Sequence, residues 1–114
     1  VQSMRSSDVW LGYPYDAFNA AMLTTLIILL IRHRDPKSFK SLDVGVHTMV
    51  VGSQHLYEKN WEKATALLAD RTELWYEPLS AADFKDAEHL HSYLYACARH
   101  PDGVRAQRLK VQRV

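Results

Sequence analysis

The most apolar stretch of the chain is AFNAAMLTTLIILLI, residues 17–31. Its pattern predicts a helix over about residues 15–33, which ends before Pro36 because proline lacks a backbone donor and disfavours helical geometry at the preceding residue. The basic residues Arg32, His33 and Arg34 suit the negative pole of the helix dipole at that end. A membrane span needs about 20 apolar residues. Because this run is shorter and contains an asparagine and two threonines, we expect a core helix buried on most sides, and no membrane span.

A different period follows in LDVGVHTMVVGSQHLY, residues 42–57. Its side chains alternate between two faces, β-branched residues dominate, and both faces contain apolar residues. This pattern predicts a strand with substantial burial on both faces. We expect Gly52 and Ser53 to break or kink this strand before His55.

The rest of the chain alternates between helical and extended patterns. Residues 1–5 resemble the end of a strand, and Gly12 and Pro14 indicate a loop before the long helix. Helical spacing returns over residues 58–70, with Trp61, Ala64 and Leu68 on one stripe. Ser80 and Asp83 have the spacing of a capping box, which predicts a helix to about Arg99. Short strands are expected within residues 71–80 and 104–114, so the class is mixed α and β, with helices packed on a sheet.

Composition narrows the possible classes of protein. A chain of 114 residues with 47% hydrophobic and 24% charged residues is large enough for one modest core and is typical of a globular domain. A net charge of +1 gives no electrostatic basis for nucleic-acid binding. The single cysteine, Cys97, excludes an internal disulfide and fits a cytoplasmic location. The chain begins without methionine or a signal-peptide pattern, and we expect it to be a portion of a longer or split protein.

Three other groups of polar residues are expected to have structural roles, not catalytic or ligand-binding ones. His89 and His91 are two residues apart on a predicted helix, about 200° around its axis, so they do not share a face and we expect no metal site. Cys97 lies in a helical context beside alanines, as buried core cysteines do. The basic residues of the C-terminal tail are expected to form a solvated face.

Candidate chemistry is concentrated in RSSDVWLGYPYD, residues 5–16. Arg5 and Ser6 at a strand end could bind a phosphate through guanidinium and hydroxyl donors, and Asp8 adds an acceptor nearby. His55 and Tyr57 are two residues apart, so in an extended segment they would face the same side. The structural alternative is that Arg5 pairs with Asp8 and that Tyr57 belongs to the core.

These motifs resemble the thymidylate synthase superfamily. That family has an Arg-Ser-x-Asp-x-x-Leu-Gly-x-Pro-(Phe/Tyr)-Asn block and a later His-Leu-Tyr block, and both occur here in order, within residues 1–70. The resemblance implies an α+β fold, with a mixed sheet, a long buried helix at residues 15–33 and flanking helices. It further implies that residues 1–114 are the C-terminal part of a single thymidylate synthase-like domain, and that the protein is a homodimer.

The resemblance also implies roles for individual residues. Arg5 and Ser6 would bind the 5′-phosphate of a pyrimidine nucleoside monophosphate, and His55 and Tyr57 would hydrogen-bond its sugar hydroxyl. Asp8 would face the pterin of 5,10-methylenetetrahydrofolate. Gly12 would let the backbone approach the substrate and the cofactor.

Asp16 stands where thymidylate synthases have a base-reading asparagine. An amide matches the hydrogen-bonding edge of uracil, whereas a carboxylate accepts a hydrogen bond from the exocyclic amine of cytosine. An aspartate here resembles the cytidylate hydroxymethylases, which would add a hydroxymethyl group to carbon 5 of CMP or dCMP. A thymidylate synthase acting on dUMP and a non-catalytic nucleotide-binding or scaffold homologue remain as alternatives.

Further departures from the family pattern concern the nucleophile and the residues before the His-Leu-Tyr block. The nucleophilic cysteine of the family lies in a Pro-Cys-His type of motif, expected upstream of Val1, and its role is not transferred to Cys97. The family often has Gly-Asp before the His-Leu-Tyr block, where this chain has Gly52-Ser53. We therefore expect this chain to supply phosphate, base and sugar contacts, and an N-terminal portion of the same enzyme to supply the nucleophile.

Overall fold

The computed structural model describes residues 1–71 and 80–99, which form an α+β structure. The strands are β1 (Gln2–Met4), β2 (Ser7–Asp8), β3 (Met49–Val51) and β4 (Gln54–His55). The helices are α1 (Gly12–Arg34), α2 (Trp61–Ala69) and α3 (Ala87–Arg99), with 3-10 turns at Glu58–Asn60 and Ala81–Asp83. The strands expected within residues 71–80 and 104–114 fall almost entirely on residues outside this description.

The described strands form two parallel two-stranded sheets, β1 with β3 and β2 with β4. β1 confirms the strand that was expected at residues 1–5. β2 was not predicted, because serine and aspartate favour turns and have low strand propensity. Its pairing comes from the backbone: the N–H groups of Ser7 and Val9 donate to the carbonyls of Ser53 and His55, each at 2.9 Å. The mixed sheet is thus not found within the described residues, where all pairing is parallel.

The strand predicted within residues 42–57, with a break at Gly52 and Ser53, is shorter than expected, and the burial predicted for both of its faces is not found. Regular strand occurs only in β3 and β4, and Val46 is 96% exposed. The length of β3 is limited by its partner strand. β1 is three residues long, so it pairs with only three residues of β3. The break at Gly52 and Ser53 is confirmed, because the two residues separate β3 from β4.

Helix α1 begins three residues earlier than the pattern predicts, at Gly12 rather than at about residue 15. Pro14 therefore lies in its first turn, where a missing N–H costs no intrahelical hydrogen bond. The end of the helix is as expected, with Arg32, His33 and Arg34 in the last turn. Buried Thr25 fits the apolar helix because its hydroxyl donates to the Ala21 carbonyl at 2.9 Å.

The expectation that this helix is buried on most sides is wrong for the chain as described. Its fully buried residues form one stripe, Thr25, Ile28 and Leu29, whereas Leu23 and Leu30 are more than half exposed. A helix that is apolar all round needs neighbours all round, and the described elements cover one side. By length and composition α1 is also able to cross a membrane, a property it shares with core helices. The absence of a membrane role therefore stays a prediction.

The described residues fall into two compact units, one with residues 1–25 and 44–71, the other with residues 26–43 and 80–99. In the second unit, the Asp43 carboxylate accepts hydrogen bonds from the Ser80 hydroxyl and the Ala81 N–H, both at 2.7 Å. The capping box of Ser80 is confirmed, but it caps the 3-10 turn rather than α3. Phe84 and Leu90 are buried in this unit. That the chain forms a single domain stays a prediction.

Candidate functional site

The two motif blocks are adjacent because β2 lies parallel to β4. Ser7 pairs with Gln54, and Asp8 pairs with His55. Residues 47 positions apart in the sequence are thereby held at the spacing of neighbouring strands, about 4.8 Å. The parallel register brings the Arg-Ser-x-Asp block to the His-Leu-Tyr block within a single compact unit of the chain.

Arg5 and Ser6 lie between β1 and β2, and both side chains are exposed. Opposite them are Gly52 and Ser53, the residues between β3 and β4. The Gly52 N–H donates to the Met4 carbonyl at 3.0 Å, and a Cβ on Gly52 would lie 3.0 Å from the Arg5 carbonyl oxygen. The glycine at position 52 therefore permits a close contact that fixes the main chain at Arg5. The guanidinium of Arg5 stays open to solvent.

Asp8 has a structural function in addition to its predicted one. Its Oδ1 accepts from the Trp10 N–H at 3.1 Å and its Oδ2 from the Leu11 N–H at 3.3 Å. This carboxylate-to-backbone turn leads the chain from β2 into α1. The alternative in which Asp8 serves as the ion-pair partner of Arg5 is thus not the arrangement found. Each carboxylate oxygen keeps a second lone pair that can accept a further donor.

Gly12 is the meeting point of three side chains. A Cβ at Gly12 would lie 3.5 Å from the Asp8 Cβ, 3.6 Å from the Ser7 Oγ and 3.8 Å from the Asp16 Oδ2. Asp16 is one helical turn beyond Gly12 on α1, so its carboxylate returns toward the beginning of the helix. The fold therefore gathers Asp8, Gly12 and Asp16, three of the residues expected to bind ligands.

Ser7 was missed by the reasoning from sequence. It is 3% exposed, and its Oγ makes no hydrogen bond with any residue that the structure describes. A buried hydroxyl without a partner carries a cost in free energy, so this position needs a physical reason. The sequence contained one signal only. Successive side chains of an extended segment point to opposite sides, so if Ser6 faces solvent, Ser7 must face away from it.

His55 and Tyr57 are together, as expected from their spacing. Their ring centroids are 5.0 Å apart, with an angle of 82° between the ring planes. Tyr57 is 53% exposed, so the alternative that it is a core residue is wrong. The Lys59 Nζ lies 5.7 Å from the Tyr57 ring centroid, which adds a cation that the sequence had not indicated.

Cys97 lies in α3, in the other compact unit, where it is half-buried and its thiol is free. Among residues 1–71 and 80–99, no group of three or more His, Cys, Asp or Glu side chains could hold a metal ion. The first unit thus offers hydrogen-bonding and charged groups for a bound molecule, and none of its described residues is a cysteine.

Comparison of the chain with protein-family models, with curated proteins and with solved structures gives no match.

Proposed function

We propose that the protein transfers a one-carbon unit from a folate to carbon 5 of a pyrimidine nucleoside monophosphate, and that the reaction is hydroxymethylation of CMP or dCMP. The observation that carries this proposal is the parallel register of β2 and β4, which sets Asp8 beside His55. It supports the proposal because the residues assigned to phosphate, base and sugar belong to one compact unit. The resemblance of the two sequence blocks to the thymidylate synthase superfamily suggests the chemistry.

The phosphate would bind at Arg5 and Ser6. Both side chains are exposed, and the guanidinium offers up to five donors that suit a phosphate dianion. The sugar hydroxyl would bind at His55 and Tyr57, whose rings are already in contact. That contact restricts both side chains, so less rotamer entropy is lost when the nucleotide binds.

The base would be read by Asp16. Its carboxylate can accept from the exocyclic amine of cytosine, and a proton on the carboxyl group or on the ring nitrogen completes the pair. Uracil presents a carbonyl at that position, which would face the carboxylate without a donor. Buried polar groups left unpaired cost about 1–3 kcal/mol each, so this single side chain can set base preference.

The folate would supply the carbon at the oxidation level of formaldehyde. Asp8 fits a pterin, since its oxygens keep lone pairs after accepting two backbone N–H groups. A cysteine thiolate from polypeptide outside these 114 residues would add to carbon 6 of the base and make carbon 5 nucleophilic. Carbon 5 gains the carbon and loses its proton, water supplies the hydroxyl group, and loss of the thiolate restores the ring, with tetrahydrofolate as the second product.

The test is the base preference of an Asp16→Asn variant of the full-length protein. Calorimetric titration with CMP, dCMP, UMP and dUMP should show that the unaltered protein prefers cytosine nucleotides, and that Asp16→Asn shifts the preference toward uracil by about 10–100-fold. Glu62→Gln is the matched control, because Glu62 is an exposed acid in the first turn of α2. A base preference unchanged by Asp16→Asn contradicts the assignment of Asp16.

The Arg5→Ala variant tests the assignment of the phosphate-binding residue independently of base preference. Since all four nucleotides carry the same phosphate, this variant should weaken each of them by a similar factor and leave the preference between bases unchanged. A weakening limited to one base would contradict the assignment of Arg5 to the phosphate.

A further inference from the structure

A small cavity lies in the second unit, between the C-terminal end of α1 and the beginning of α3. Its volume is about 280 Å³, and we name it the basic cavity. The residues used below are Leu29, Arg32, Pro36, Lys40, Lys85 and Asp86. All of them belong to residues 26–43 and 80–99, so the basic cavity is formed within one compact unit.

Positive charge predominates in the basic cavity. It is lined by the cations of Arg32, Lys40 and Lys85 and by one carboxylate, Asp86. The Asp86 Oδ1 accepts the His89 N–H at 2.8 Å and thereby caps α3. Because this carboxylate is already stabilised at the positive end of a 13-residue helix, it does not compensate the three cations fully.

Arg32 shows that this charge is partly removed from water. One of its Nη atoms donates to the Leu42 carbonyl, while its Nε is buried and has no hydrogen-bond partner within the described residues. The guanidinium is therefore held by a neutral carbonyl, which fixes its orientation without balancing its charge. A desolvated cation is costly, and an anion in the basic cavity would reduce that cost.

The chemistry of the lining favours a phosphate over a carboxylate. One arm of the Arg32 guanidinium is already occupied by Leu42, so the paired donors that would grip a carboxylate are not all available. Two lysines that act as flexible point charges suit the several oxygens of a phosphate dianion. Buried Leu29 and exposed Pro36 provide an apolar side, and the volume of 280 Å³ lies just below the usual range of small-molecule pockets, about 300–1,000 Å³.

We propose that the basic cavity binds a small metabolite through a phosphate monoester or diphosphate group. The phosphate contacts the ammonium groups of Lys40 and Lys85 and the N–H groups of Arg32 that do not donate to Leu42. The remainder of the molecule packs on Leu29 and Pro36. This site is distinct from the one at Arg5 and Ser6, since none of its residues belongs to the unit that contains those two. The inference does not depend on the proposed enzymatic activity.

The test uses inorganic pyrophosphate as the probe and the full-length Arg5→Ala protein as the background, which removes binding at the proposed nucleotide site. Calorimetry at constant ionic strength should detect binding, and Lys40→Ala with Lys85→Ala should weaken it at least about tenfold, because two charge-assisted contacts are lost. Arg32 is left unaltered, since its hydrogen bond to Leu42 supports the local fold.

Two controls make the result decisive. Lys37→Ala with Lys63→Ala removes two exposed lysines outside the basic cavity and should leave the affinity unchanged. Lys40→Arg with Lys85→Arg keeps the charges and should retain binding. Absence of pyrophosphate binding in the Arg5→Ala background would overturn the proposal. An equal loss of affinity in the cavity and control lysine pairs would overturn it as well.

Discussion

Ser7 places a hydroxyl in a buried position two residues after an exposed arginine. Its Oγ and the Asp16 Oδ2 both lie within 4 Å of the point where a Cβ would stand on Gly12. Among the residues that the structure describes, none hydrogen-bonds to this hydroxyl. At the scale of single residues, the site therefore contains an unsatisfied polar atom beside the side chain assigned to the base.

Ser7→Ala is expected to stabilise the protein. Removing a buried hydroxyl without a partner eliminates its desolvation cost, so the free energy of unfolding should rise by about 1 kcal/mol. Urea denaturation followed by circular dichroism measures this change. Ser6→Ala is the control, because Ser6 is exposed and should give a change near zero. Destabilisation by Ser7→Ala would show instead that the hydroxyl has a partner in the folded protein.

Asp35 is expected to titrate below the ordinary aspartate value. The Ser38 N–H donates to its Oδ1 at 3.0 Å, and this hydrogen bond lowers the pKa of the Asp35 carboxyl from 3.8. Because the folded pKa is depressed, the associated stability is present above the unfolded pKa and is lost as pH falls through the folded pKa. Carbon NMR of the carboxyl group in native and urea-unfolded protein measures both values. A native pKa at or above the unfolded value would contradict the expectation.

The identity of the site residues followed from the sequence, but their environments did not. Arg5, Ser6, His55 and Tyr57 were proposed from motif and spacing, and the structure leaves three of them exposed. The turn made by Asp8 and the burial of Ser7 depend on where α1 begins, which is set by tertiary packing. A periodicity in the sequence does not fix the first residue of a helix, and here it placed the beginning of α1 three residues too late.

At the scale of elements, signals within a few residues predicted the helices better than the strands. The α2 segment and the capping box at Ser80 follow local rules, and both are found. Strand length depends instead on the partner, and β1 and β2 offer three and two residues. The alternating pattern of residues 42–57 therefore indicated more strand than is paired among the residues that the structure describes.

Gly52→Ala should destabilise the junction between the two strand pairs. Its Cβ would lie 3.0 Å from the Arg5 carbonyl oxygen, which is backbone and cannot move without disturbing β1 and β3. We expect a loss of about 1–3 kcal/mol in the free energy of unfolding, measured by urea denaturation. Gly45→Ala is the matched control, since nothing lies within 4 Å of its Cβ position. Equal effects of the two substitutions would contradict the close contact.

At the scale of the whole molecule, the α+β class was predicted correctly, whereas the burial predicted for most sides of α1 is not found among the described residues. Apolar side chains lie on all sides of this helix, but the described elements bury only one stripe of them. The first unit contains all seven residues assigned to substrate and cofactor, and the second contains the basic cavity. The proposed activity requires a nucleophilic thiolate in addition to these contacts.

The most direct test of the proposed function is the product formed by that protein. It is incubated with 5,10-methylenetetrahydrofolate labelled at the methylene carbon and, separately, with CMP, dCMP, UMP or dUMP, and the nucleotides are analysed by mass spectrometry. We predict a labelled hydroxymethyl group on carbon 5 of a cytosine nucleotide. Labelled thymidylate formed from dUMP would contradict the cytosine assignment, and the absence of label from every nucleotide would contradict the one-carbon transfer itself.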